Sequence, residues 1–85
     1  MQKFDYEIGD ELGIHARPAG ILVKEAKRFQ SKLTLTRDGE TANVTRLMEV
    51  MALGVKQGQT VTIEADGEDE EDAIGAMKRF FEEHF

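Results

Sequence analysis

Apolar and polar residues alternate in four short stretches of the chain, the pattern of strands with one buried face. In the first stretch, Phe4, Tyr6 and Ile8 alternate with acidic residues. The other three carry Leu33 and Leu35, then Ala42 and Val44, and finally Val61, Ile63 and Ala65. Asp38-Gly39 separates the second stretch from the third. This dipeptide favours a two-residue turn, so we predict a hairpin there.

Between these strands the period changes to that of amphipathic helices. The first helix is predicted to have Pro18 near its first turn and to reach Phe29, with an apolar stripe at Ala19, Leu22, Val23, Ala26 and Phe29. Pro18 suits the first turn of a helix because its nitrogen has no hydrogen to donate.

Two more helices are predicted further along the chain. A short one runs from about Arg46 to Leu53, with Thr45 as its N-cap residue. A longer one runs from about Glu70 to the C-terminus, with Asp69 as its N-cap. The element order is therefore β-α-β-β-α-β-α, typical of an α+β domain with an antiparallel sheet and helices on one face.

Composition narrows the range of functions. Residues 1–85 suffice for a single domain with one modest core, and the formal net charge of −6 argues against general nucleic-acid binding. The absence of cysteine excludes disulfides and thiol catalysis, and two histidines are too few for a histidine metal cage. The apolar runs are too short to span a membrane, and the N-terminal residues do not resemble a signal peptide. We therefore expect a cytoplasmic domain without a metal.

The residues around His15 offer the clearest chemistry. The imidazole stands where a loop becomes a helix, and the first amides of a helix have no internal partner and attract anions. Arg17 is a permanent cation whose planar fork suits phosphate oxygens, and Pro18 stiffens the turn. A neutral imidazole there could accept a phosphoryl group. Alternatively, His15 is an ordinary surface residue or a loose cap. We see no aspartate or serine partner nearby in the sequence, so a hydrolytic triad has no support.

The segment Leu12-Gly-Ile-His-Ala-Arg-Pro-Ala19 resembles the active-site signature of the HPr family, the histidine-containing phosphocarriers of the bacterial phosphotransferase system. The resemblance covers the whole chain, including the Asp38-Gly39 turn, Leu53-Gly54 and the entry to the last helix at 67–70. It implies an open-faced β-sandwich of four antiparallel strands under three helices.

The resemblance also implies a function. His15 would take phosphate on Nδ1 from phosphorylated enzyme I and pass it to EIIA domains of sugar permeases. Ala16, Arg17 and Pro18 would form the phosphate-binding segment, with Arg17 assisting transfer. No cofactor is implied, because phosphoenolpyruvate is used by enzyme I.

The short helix offers a candidate partner surface, since it is apolar around most of its circumference. We predict that Val50 and Leu53 enter the core. The remaining apolar residues would form an exposed rim beside His15, made of Leu47, Met48 and Met51. In the alternative interpretation, all of these residues belong to the core.

The first helix is locally basic, which favours contact with acidic partners. Its charged residues are Arg17, Lys24, Lys27 and Arg28, against one acid, Glu25. Charge of this kind mainly sets the rate and orientation of encounter. The resemblance likewise implies that Lys24 and Lys27, together with Gly20, face partners. A merely solvated helix face is the alternative.

One position departs from the family pattern. Many Gram-positive members carry a regulatory serine at the start of the short helix, where this chain has Arg46 preceded by Thr45. Arg46 cannot be phosphorylated by a serine kinase, so we expect no phosphoserine regulation there. Modification of the Thr45 hydroxyl is chemically possible, but we expect that hydroxyl to cap the helix.

Three rival functions remain open from sequence. The chain could be a nitrogen-type regulatory phosphorelay carrier, or a binding module that shares the fold without being phosphorylated. An enzyme acting on a small molecule is disfavoured, because no second catalytic group is evident. We expect a monomer, and we expect His84 to be inert.

Overall fold

The computed structural model describes all 85 residues and contains four strands and three helices. The strands are β1 (Gln2–Glu7), β2 (Lys32–Arg37), β3 (Glu40–Asn43) and β4 (Thr60–Asp66). The helices are α1 (Ala16–Ala26), α2 (Leu47–Ala52) and α3 (Glu70–His84). The predicted order β-α-β-β-α-β-α is confirmed.

The strands form one antiparallel sheet in the order β1-β4-β2-β3. The predicted hairpin joins β2 to β3, and Asp38 and Gly39 both have positive φ angles, of 49° and 82°. This conformation matches the twist of the two strands that flank the turn. One sheet face is left open, and on it the Thr62 hydroxyl donates a hydrogen bond to Asp5 (2.6 Å).

The other sheet face packs against all three helices in a single core. Inward residues of every strand join buried residues of each helix in one cluster. At one edge of the sheet, the Phe81 ring of α3 meets Phe4 and Tyr6 of β1 edge-on, at 6.1 and 5.6 Å between centroids. The α+β open-faced architecture with helices on one face is therefore confirmed.

The predicted start of α1 is confirmed, but its end differs from the prediction. The helix begins at Ala16, directly after His15 and with Pro18 in its first turn, and it ends at Ala26 rather than Phe29. Phe29 still packs against the core from the turn that follows, which explains why it appeared to continue the apolar stripe. The periodic pattern reflects which residues face the core. A half-buried residue after the helix, such as Phe29, can therefore make the helix look longer than it is.

Two predicted N-caps also need correction. Arg46, not Thr45, is the N-cap of α2, and the Thr45 hydroxyl instead donates to Asn43 Oδ1 (2.6 Å). Asp69 stands at the N-cap of α3 but its side chain does not cap that helix. Its carboxylate accepts hydrogen bonds from the amides of Gln30 and Ser31 and from the Ser31 hydroxyl. These bonds tie the start of α3 to the connection between α1 and β2.

Candidate functional site

His15 is the N-cap residue of α1 and its ring remains accessible. Its backbone is extended (φ −111°, ψ 170°), and its carbonyl accepts the amide of Ala19 at 3.0 Å, the first hydrogen bond of the helix. The side chain is 31% exposed and makes no capping hydrogen bond. The backbone therefore fixes His15 at the helix start without burying its imidazole.

The first turn of α1 leaves an open anion site beside the ring. The amides of Ala16 and Arg17 donate to no acceptor in the chain, and Pro18, which is buried, has no hydrogen to donate. The guanidinium of Arg17 is exposed and forms no ion pair. Two free amides, the positive end of the helix dipole and a free cation thus lie within three consecutive residues, a suitable arrangement for binding phosphate.

The loop that leads into this site is fixed by a close backbone contact. Gly13 is buried and has a φ of 66°, and a Cβ there would overlap the carbonyl oxygen of Val55 and lie 2.8 Å from Lys56 Cα. Only glycine fits such an approach in the left-handed region. The next amide, of Ile14, donates to the same Val55 oxygen at 3.1 Å. Since Val55 follows the end of α2, this contact anchors the His15 loop to that end of the short helix.

The other end of the loop is anchored by Phe85, the residue that follows α3. The main-chain oxygen of Phe85 accepts hydrogen bonds from the amides of Gly9 (2.6 Å) and Asp10 (3.0 Å). The Phe85 ring is buried and packs against Phe80 and Phe81. Residues 9–14 are therefore held at both ends by main-chain hydrogen bonds to distant parts of the fold.

Asp10 lies against His15, which corrects the view that no acidic partner is nearby. Its Oδ2 is 3.4 Å from Nε2 of the imidazole, while its Oδ1 accepts the amide of Leu12 at 2.8 Å. The Leu12 amide is the main cause that lowers the pKa of Asp10, with a smaller contribution from His15, so the carboxylate stays ionised. The sequence shows only that Asp10 and His15 are five positions apart. The fold of the loop brings their side chains into contact.

The apolar residues of α2 divide between core and surface. Val50 and Leu53 are buried, as predicted. Met48 is 80% exposed and Leu47 is 38% exposed, whereas Met51 is half-buried and packs partly against the core. The alternative that all of them are core is therefore wrong, and the exposed rim consists mainly of Leu47 and Met48.

Two exposed apolar residues, one in the His15 loop and one on α1, were missed by sequence reasoning. Leu12 in the His15 loop is 71% exposed and Ile21 on α1 is 48% exposed. Next to Ile21, a Cβ added at Gly20 would meet nothing within 4 Å, so the backbone at Gly20 is open to an approaching partner. A lone leucine in a loop has no periodic pattern that would have marked it.

The basic residues of α1 and of the turn that follows it differ in whether they form ion pairs. Lys24 and Lys27 are exposed and form no ion pair. Arg28 pairs with Glu25 at 2.6 Å, which neutralises the end of the basic stripe furthest from His15. On α2, Arg46 is exposed and lies 3.6 Å from Glu49. Among the basic residues of these two segments, Arg17, Lys24 and Lys27 form no ion pair.

The structure contains no group of three or more histidine, aspartate or glutamate side chains that could hold a metal ion. None of its helices has both the length and the apolar character needed to cross a membrane.

Comparisons with known proteins converge on one family. The family model described as "PTS HPr component phosphorylation site" matches residues 2–83. The phosphocarrier protein HPr of Mycoplasma capricolum is 44% identical over 79 residues, covering 93% of this chain and 89% of the relative.

Solved structures agree. An HPr from Thermoanaerobacter tengcongensis superposes with a TM-score of 0.91 at 39% identity, covering 96% of this chain and 92% of the other. A structure of an HPr dimer from the same organism has a TM-score of 0.78 at 38% identity, covering 98% and 95%.

Proposed function

The chain belongs to the HPr family of phosphocarriers of the phosphotransferase system, and we propose that His15 accepts a phosphoryl group from phosphorylated enzyme I and passes it to EIIA domains of sugar permeases. One observation carries the proposal. His15 lies at the open N-terminus of α1, where two amides have no partner in the chain and the guanidinium of Arg17 is unpaired.

The chemistry of transfer suits this arrangement. A phosphoryl group carries negative charge on oxygens that spread around the phosphorus as it moves between donor and acceptor. Amides already aimed at that position stabilise the charge without reorganising. Arg17 adds a second, adjustable donor because its side chain is exposed. His15 supplies the nucleophilic nitrogen, and the partner must supply the rest of the active site.

The openness of the site supports a carrier that works with partners, acting stoichiometrically rather than as an enzyme. The nucleophile stands at the accessible start of a helix, so that a donor and later an acceptor can approach the same nitrogen in line. Binding the phosphoryl group too firmly would slow its release, because acceleration comes only from interactions stronger in the transition state.

The surface around His15 supports protein partners with an apolar, acidic docking face. The exposed rim of Leu47 and Met48 offers adaptable apolar contact, and the flexible thioether of methionine suits several partners. Lys24 and Lys27 offer free positive charge beside Gly20 on α1. α2 packs beside α1, which makes these two surfaces neighbours. Half-buried Met51 would contribute less than Met48.

We expect this exchange to take place in the cytoplasm, with the chain as a monomer. A relative solved as a dimer makes the oligomeric state worth measuring, and light scattering of the purified protein would decide it. At the start of α2 the chain has Arg46, which pairs with Glu49, where a regulatory serine would stand. We therefore expect no regulation by a serine kinase there.

The test combines the purified chain with enzyme I and radiolabelled phosphoenolpyruvate. We expect a label that is labile in acid and stable in alkali, as for phosphohistidine. His15→Ala should lose it completely while keeping the wild-type melting temperature. His84→Ala is the matched control, because it removes the other histidine, which stacks on Phe80 at the end of α3.

Label retained in His15→Ala would contradict the proposal. Adding a panel of EIIA proteins to the labelled carrier then shows which acceptors remove the phosphate. Transfer to EIIA domains of sugar permeases supports the sugar-uptake role, whereas transfer only to a nitrogen-type EIIA would replace it with the regulatory relay.

A further inference from the structure

We propose that Asp10 is a positioning residue for phosphoryl transfer: its carboxylate holds His15 in the tautomer with the proton on Nε2, which leaves the Nδ1 lone pair free. The inference rests on the proposed function of His15 and goes beyond it, because it names the residue that keeps Nδ1 ready for attack. The contact that carries it joins Asp10 Oδ2 to His15 Nε2 at 3.4 Å.

The chemistry of the contact decides the tautomer. An ionised carboxylate can only accept hydrogen bonds, and a neutral imidazole has one nitrogen with a proton and one with a lone pair. With the proton on Nε2, the ring donates to Asp10. With the proton on Nδ1, two lone pairs would face each other across the same gap. The carboxylate therefore favours the Nε2–H form, and the free lone pair is on Nδ1.

The carboxylate is itself fixed, which makes the preference a property of the fold. Oδ1 of Asp10 accepts the Leu12 amide at 2.8 Å, and the Asp10 carbonyl accepts the Gly13 amide at 2.9 Å. The Asp10 amide donates to the main-chain oxygen of Phe85 at 3.0 Å. Three hydrogen bonds thus orient Asp10, and its second carboxylate oxygen remains available for the imidazole.

Asp10 also suits the charge that develops during transfer. A bond forms between Nδ1 and phosphorus from the ring's lone pair, while the bond between phosphorus and the donor breaks and its electron pair leaves with the donor. Nε2 keeps its proton throughout. The ring then has substituents on both nitrogens and gains one positive charge, which a carboxylate at Nε2–H stabilises, as the aspartate of a serine-protease triad does.

Asp10→Asn provides the sharpest test. It keeps the shape of the side chain but can place a hydrogen-bond donor where the carboxylate accepts. The amide oxygen of asparagine can still accept from Leu12, while its amino group faces Nε2 as a donor. The variant should therefore favour the Nδ1–H tautomer, whose Nδ1 cannot attack. Glu11→Gln is the matched control: it removes the adjacent carboxylate, which is exposed and makes no hydrogen bond or ion pair with His15.

The experiment has two readouts. Nitrogen-15 chemical shifts of the histidine rings, measured in alkaline solution, report the tautomer, and His84 serves as an internal reference in each spectrum. Initial rates of labelling by enzyme I report transfer. We expect the Nε2–H form to dominate at His15 in the wild type and in Glu11→Gln. In Asp10→Asn we expect the Nδ1–H form to increase and the rate to fall about tenfold, since the contact is long and solvent-accessible.

Two results would overturn the inference while leaving the proposed function intact. One is a His15 tautomer that Asp10→Asn does not change, whatever the rate. The other is a changed tautomer with an unchanged rate. A wild-type chain that takes no label from enzyme I would instead overturn the proposed function, and the role of Asp10 in transfer with it.

Discussion

The segments at the two ends of α1 treat their polar groups in opposite ways. Beyond the C-terminal end, in the connection to β2, the Asp69 carboxylate accepts the amides of Gln30 and Ser31, each at 2.9 Å, and the Ser31 hydroxyl at 2.5 Å. Ser31 is the one buried polar residue of the chain, and these bonds satisfy it fully. At the N-terminal end, the amides of Ala16 and Arg17 have no partner in the chain.

The difference shows how a small domain keeps a binding site open without losing order. The N-terminal end is positioned by main-chain bonds of the preceding loop to Val55 and Phe85, none of which uses the donors of the helix start. Those donors stay available for a ligand. At the other end, where we assign no ligand, side chains satisfy the backbone and hold α3 against the rest of the fold.

Gly13→Ala should disrupt the loop that precedes α1, with the largest effect on stability of the variants considered. The new Cβ would overlap the Val55 oxygen in a residue with a left-handed backbone, and strain plus overlap should cost about 3 kcal/mol. Urea unfolding measures the loss, and labelling of the folded fraction should slow as His15 is displaced. Gly54→Ala is the control. It also has a positive φ but open space around it, so about 1–2 kcal/mol is expected. Equal losses in both variants would show that the Val55 contact does not matter.

Ser31→Ala should destabilise the connection between α1 and β2 and leave the site at the start of α1 unchanged. Removing a buried hydroxyl that donates to a carboxylate should cost about 1.5–3 kcal/mol in urea unfolding. The rate of labelling by enzyme I should stay at the wild-type value. Thr62→Val removes a similar bond, to Asp5 on the open sheet face, and should cost less because water can replace it. A slower labelling rate in Ser31→Ala would mean that the two ends are coupled.

At acidic pH, the Ser31 hydroxyl should contribute less to the stability of the fold. That hydroxyl is the main cause that lowers the pKa of Asp69 below its ordinary value of 3.8, with the Gln30 amide next. A carboxyl whose pKa is lower in the folded chain stabilises the fold above its unfolded pKa, and the benefit is lost as pH falls through the folded pKa. The difference in melting temperature between wild type and Ser31→Ala should therefore shrink below about pH 4. A constant difference down to strong acid would exclude ionised Asp69 as the partner.

Met48→Ala should have the smallest effect on the fold and act only on partner binding. Its side chain is 80% exposed, so the melting temperature should not change. The KM for enzyme I should rise roughly three- to tenfold as apolar contact is lost. Val50→Ala, on the buried side of the same helix, should lower the melting temperature instead. An unchanged KM in Met48→Ala would remove this residue from the docking surface.

Sequence could predict the elements of the fold because each has a local signature. Alternation gave the strands, Asp38-Gly39 gave the hairpin, and the excess of apolar residues in α2 indicated its exposed rim. The placement of His15 at the start of a helix followed from the change of period near Pro18. These features depend on neighbours a few residues apart, which is the range that a pattern records.

The errors at Asp69 and Asp10 concern side-chain contacts that local preferences do not record. Asp69 bonds to Ser31, 38 residues away, and so does not cap its own helix. Asp10 reaches His15 because Phe85 and Val55 hold its loop from two sides. No local preference distinguishes an acid that caps a helix from one that bridges two elements, so both assignments required the tertiary structure.

The anchor at Phe85 links the loop before His15 to α3. Gly9 and Asp10 both donate to the main-chain oxygen of Phe85, and the buried Phe85 ring packs on Phe80 and Phe81 of α3. A change that unravels the last turn of α3, far from this loop in the sequence, would therefore release the backbone that carries the imidazole.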